Sequence, residues 1–171
     1  MALPLLWVLE KINMKLSNQK GIKTISLIAL AIGAIYLFFV YYRTICCLWL
    51  NDAPDRIIWS TVQKPWQITV LIGYVLGATA TFALCAAIEM NILKGLKSGN
   101  LFPSRNFILI ILTAIMVGGT LFFKANVNDV MKGVECSVLD SNCIFIPLII
   151  VIFGLLYKQA SLAMEDSNLA I

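Results

Sequence analysis

Four long apolar runs cut this chain into spans and short polar connections, and almost every charged residue lies in the connections. Such a run carries almost no charge, and inside lipid its backbone has no water to bond. The backbone groups must therefore be satisfied within the segment, which for an open chain means a helix. Composition removes the soluble alternative: 60% of the 171 residues are hydrophobic and 13% are charged, with a mean hydropathy of +0.89. The pattern predicts an all-α integral membrane protein, a four-helix bundle whose N- and C-termini are cytoplasmic, with the bilayer as its first partner.

The spans are expected over residues 24–42, 66–88, 107–123 and 144–157. They leave a cytoplasmic N-terminal segment of residues 1–23, a membrane domain of residues 24–157 and a cytoplasmic tail of residues 158–171. The third and fourth spans are shorter than the roughly 20 residues a bilayer asks for, so they must thin the bilayer, extend by a turn, or let Lys124 and Lys158 snorkel. Pro147 is placed in the first turn of the fourth helix, where its missing N–H is no loss.

Orientation follows from the cations. Lys11, Lys15, Lys20, Lys23, Lys94, Lys97, Arg105 and Lys158 fall on one side, whereas Arg43, Arg56, Lys64, Lys124 and Lys132 fall on the other. The richer side is the cytoplasmic one. The tryptophans Trp59 and Trp66 suit the opposite interface. The opening MALPLLWVLE has neither the leading charge nor the cleavage site of a secretion signal. It reads either as a short interfacial segment anchored by Trp7 or as sequence upstream of a start at Met14. The net charge of +4 is spread beside the spans, which fits anionic lipid and not nucleic acid.

Topology sorts the five cysteines. Cys136 and Cys143 share the third connection, on the side where a disulfide persists, and closing so small a loop contributes roughly 2.5 kcal/mol. They are the structural disulfide candidate. Cys46 and Cys47 adjoin at the outer end of the first helix, where neighbouring side chains diverge, and Cys85 reads as a buried small hydrophobe in the second span. Cysteine pairs in both outer loops of four helices also match the plan of a membrane thiol-disulfide oxidoreductase, which is the alternative function. A small transporter or an immunity-type protector is a further alternative.

No other chemistry is available. The chain has no histidine, its loop carboxylates are scattered, and no glycine-rich cradle precedes a helix, so no catalytic, metal-binding or cofactor-binding residues are assigned and no cofactor is expected. Glu89 falls at the cytoplasmic end of the second span and reads as an interfacial carboxylate. Small residues recur at four-residue spacing: Ala29 with Gly33, Gly73 with Gly77, and Ala114 with Gly118. Such pairs let helix backbones approach within one bundle, with homodimerisation through Gly73 and Gly77 as the other use of the pattern.

Between the second and third spans the chain reads ILKGLKSGNLFPSRN over residues 92–106, and it closes in MEDSNLAI over residues 164–171. The first segment resembles the central loop, and the second the acidic tail, of a family of small four-span bacterial membrane proteins of the domain-of-unknown-function type. The resemblance covers nearly the whole chain from about Met14 and implies a fold and a bacterial inner-membrane location, but no activity. It also suggests a soluble cytoplasmic regulator as partner, because such proteins are thought to be encoded beside small helix-turn-helix regulators. On physical grounds Gly99 can turn the loop, Phe102 can anchor at the interface and Asn106 can cap the third helix. With Glu165 and Asp166 these residues form a candidate docking face of a non-enzymatic binding or regulatory component.

Overall fold

The computed structural model describes residues 3–49, 57–98, 102–132 and 140–169. Helix α1 spans Leu3–Trp49, α2 Lys64–Ser98, α3 Arg105–Met131 and α4 Asn142–Leu169. Each carries a stretch long and apolar enough by length and composition to cross a membrane: Lys20–Trp49, Lys64–Leu96, Arg105–Val130 and Asn142–Asp166. No strand occurs among the described residues.

The helices outrun the expected spans. Hydropathy marks only the apolar window, whereas helical hydrogen bonding continues through polar residues until a loop conformation takes over. Thus α2 continues past residue 88 to Ser98, and the expected tail is helical through Leu169. Pro147 consequently sits in the second turn of α4, not the first. There it withholds a bond from the carbonyl four residues back, Cys143 O.

Packing follows chain order. Helix α1 packs on α2, α2 on α3 and α3 on α4, while among the described residues α1 and α4 do not meet. Neighbours are antiparallel: Gln67 at the start of α2 lies against Val130 at the end of α3, and Asn91 late in α2 lies against Asn106 at the start of α3. The core gathers at one end, where Val40 and Cys47 of α1, Ile57 of the segment before α2, Val70, Leu71 and Tyr74 of α2, and Val127 and Val130 of α3 come together. The remaining surface is strongly apolar, with Ile32, Phe38, Phe39, Ile115, Ile149 and Phe153 all more than half exposed.

Two glycines set the helix separations. A Cβ on Gly77 would lie 2.5 Å from Thr120 Oγ1 and 3.4 Å from Thr120 Cα, so α2 and α3 touch backbone to backbone here. A Cβ on Gly118 would lie 3.3 Å from Cys143 O, the carbonyl to which Pro147 can donate no bond, and 3.1 Å from the Pro147 ring. Three of the other spaced small residues also face neighbours within the chain, whereas Ala29 is exposed. Gly33 meets the Phe82 ring, Gly73 meets the Phe123 ring, and Ala114 is buried beside Gly118 at the α4 contact. Since Gly73 and Gly77 are covered by α3, a homodimer of this conformation would need another face.

Span hydroxyls and amides mostly satisfy themselves. Thr44, Thr69, Thr79, Thr113 and Thr120 each donate to the carbonyl four residues back, as does Asn126 Nδ2 to Phe122 O. Backbone acceptors thereby replace water, and among the described residues no buried side-chain polar atom lacks a partner. At the entry to α4, Asp140 accepts from Asn142 N at 3.1 Å, from Asn142 Nδ2 at 3.0 Å and from Ser141 Oγ at 3.3 Å. These donors, the Asn142 backbone N–H foremost, hold the Asp140 carboxyl below the usual carboxylate range. The cap is therefore present at neutral pH and is lost as acid protonates that carboxylate.

Candidate functional site

Asn106 is fully buried, and everything around it converges on its amide. It is the second residue of α3; the cap position belongs to Ser104, whose side chain makes no capping bond. The expected role of Asn106 as a helix cap is thus replaced by a tertiary one, because at this position its side chain points between α2 and α4. Asn91 Nδ2 donates to Asn106 Oδ1 at 2.8 Å, and Asn106 Nδ2 donates to Tyr157 OH at 3.1 Å and to Ile88 O at 3.4 Å. Tyr157 OH passes the chain on to Pro103 O at 3.3 Å, and Ser161 Oγ donates to Phe102 O at 2.8 Å. The Phe102 and Tyr157 rings meet edge to face at 5.4 Å. Three helices and the entry of the 102–104 segment are therefore held by one directional network in which every donor has an acceptor.

Glu165 and Asp166 lie exposed on the turn of α4 that follows Ser161. Nearby, Lys158 Nζ sits 5.1 Å from the Phe107 ring centroid. Of the expected docking residues, Phe102 and Asn106 belong to the network, Glu165 and Asp166 adjoin it, and Gly99 lies outside the described residues.

The opposite end has its own buried amide, which sequence reasoning missed. Gln67, 1% exposed, donates through Nε2 to Ile58 O and to Val130 O, both at 2.9 Å, and accepts from Ser60 N at 2.9 Å. Val130 O is among the last carbonyls of α3, which have no partner inside their own helix, so Gln67 closes α3 from the first turn of α2. The available signal was an amide next to Trp66 at the edge of an apolar run.

Between these ends, α1 and α3 diverge. Near the Trp49 end they share the core, and Arg43 Nη2 donates to Asn128 Oδ1 at 3.1 Å. Farther along, they leave a groove of about 690 Å³ over α2, bounded by Ala29, Gly33 and Tyr36, by Ala78, Phe82 and Cys85, and by Val117 and Leu121. Its polar lining comprises Thr81 and Thr120, whose hydroxyls are 3.4 Å apart, the Tyr36 hydroxyl and Glu89. Two expectations change here. Cys85 is exposed in this groove and not buried, because α1 and α3 do not close over it. Glu89 lines the groove and is followed by further helix to Ser98, so it does not stand at a helix end.

The described cysteines Cys46, Cys47, Cys85 and Cys143 form no disulfide with one another. Cys136, the expected partner of Cys143, lies outside the described residues. Among the described residues, no group of three or more His, Cys, Asp or Glu could hold a metal ion. Compared with protein families, with curated proteins and with solved structures, the chain matches none.

Proposed function

We propose that this chain is a multi-pass protein of the bacterial inner membrane, with both termini cytoplasmic, that acts without catalysis as a binding or regulatory component. The bilayer placement draws on four helices of sufficient length and on a surface apolar enough to be poorly suited to water. The orientation draws on the cation distribution given above. The resemblance of residues 92–106 to the central loop of a four-span family is carried as part of the same proposal, as is a disulfide between Cys136 and Cys143.

The observation that carries the binding role is the Asn106 network. Tyr157 and Ser161 tie the end of α4 to Phe102 and Pro103, so the loop entering α3 and the acidic turn at Glu165 and Asp166 form one preorganised face. Ordering such a face before a partner arrives lowers the entropy cost of binding it, and its exposed carboxylates suit a partner with a basic surface. A soluble cytoplasmic regulator is the proposed partner.

Photo-crosslinking in living cells tests this reading. A photoreactive residue at Ala163 or Asp166 is expected to yield one discrete adduct, absent when the same residue replaces exposed Val62 at the other end. The adduct is expected to weaken when Tyr157→Phe and Ser161→Ala are combined. No adduct at positions 163 and 166, or an equal one at position 62, overturns the proposal.

A further inference from the structure

We propose that the groove between α1 and α3 binds a lipophilic organic cation that enters from the bilayer, with Glu89 as its counter-charge. The inference rests on the membrane placement proposed above but not on the docking face. Three observations meet in this groove.

Its volume of about 690 Å³ falls within the range of small-molecule sites, roughly 300–1,000 Å³. Small residues keep it open: Ala29, Gly33 and Ala78 line it where larger side chains would fill it. Its walls are mostly apolar, Leu30, Val117 and Leu121 among them, and the aromatic residues Phe82 and Tyr36 also line it, which suits a soft cation better than a strongly hydrated one.

Glu89 supplies the third observation. The stretch of α2 fit to cross a membrane, Lys64–Leu96, is centred on Ala80, and Glu89 lies nine positions farther on. That is about 13–14 Å along the axis. Centred in a bilayer, the carboxylate would sit just inside the roughly 15 Å half-thickness of the hydrocarbon. It has no hydrogen-bond or ion-pair partner among the described residues, and it is the one acidic group lining the groove. A carboxylate at that depth gains from a cation that can follow it into lipid. An aminophospholipid is the poorer fit, since its phosphate would arrive beside the same carboxylate. The site therefore selects a cation without an attached anion and with an apolar body.

Equilibrium binding of tetraphenylphosphonium to the full chain in lipid nanodiscs tests the assignment. One saturable site is expected, with neutral tetraphenylsilane failing to compete. Glu89→Gln should weaken binding by at least about tenfold, in line with removal of one partner of a desolvated charge pair. Ala29→Trp, on an exposed groove wall, should abolish it, and Asp129→Asn, at the far end of α3, should leave it unchanged. Cys85 lies one turn before Glu89 and gives a second readout: the cation should slow its alkylation in the native chain but not in Glu89→Gln. Absence of saturable binding, equal binding by Glu89→Gln, or competition by the neutral compound overturns the proposal. So does Glu89-dependent protection of Cys85 by phosphatidylethanolamine alone.

Discussion

Asn106 and Gln67 are buried amides at opposite ends of the α2–α3 pair: Gln67 replaces water for a terminal carbonyl of α3, and Asn106 does so for the Asn91 and Tyr157 side chains. In surroundings this apolar, removing the central amide strands its partners: Asn91 Nδ2 loses its acceptor and Tyr157 OH loses a donor. Asn106→Leu is therefore expected to destabilise the protein by about 1–3 kcal/mol, read as a lower midpoint of unfolding in mixed micelles. An unchanged midpoint would show that the amide contributes nothing net. Neither residue's role was legible from the chain alone. An Asn near a helix start reads as a cap, and only the position of its neighbours turned its side chain into a junction between helices.

At the scale of elements, close approach of α2 and α3 depends on Gly77 meeting Thr120. Thr120 Oγ1 also donates to Met116 O at 2.7 Å, so it cannot swing away without losing that bond. Gly77→Ala is expected to destabilise the α2–α3 contact by about 1–3 kcal/mol through overpacking. Adding Thr120→Ala removes the obstructing hydroxyl, and the double variant is expected to recover part of the loss; strict additivity of the two changes would refute the contact. The four-residue spacing of Gly73 with Gly77 and of Ala114 with Gly118 was visible in the sequence, whereas which helix each pair would face was not. Gly118 shows why: its neighbour is a carbonyl to which Pro147 can donate no bond, far along the chain, and spacing carries no information about that.

For the whole molecule, packing in chain order keeps α1 and α4 apart among the described residues, and the divergence of α1 from α3 opens the groove beside Glu89. The proposed orientation places Ser141 outside and Glu165 inside, both exposed. In a cysteine-free background, Ser141→Cys is expected to react with a membrane-impermeant maleimide in intact cells, and Glu165→Cys only after permeabilisation. The reverse pattern would invert the topology and remove the Asn106 face from the cytoplasm.

Helical class and the number of long helices were determined by the sequence by itself, since apolar runs of this length leave the backbone no other way to satisfy its hydrogen bonds. Their lengths were underread because Asn91, Lys94 and the MEDSNL segment are compatible with helix without being apolar. The rest was decided by tertiary structure. Whether Cys85 is covered, whether Glu89 faces a groove and whether Asn106 caps a helix or joins three of them depend on which helix faces lie together. Where a helix is apolar nearly all round, its own sequence contains little that selects one face over another.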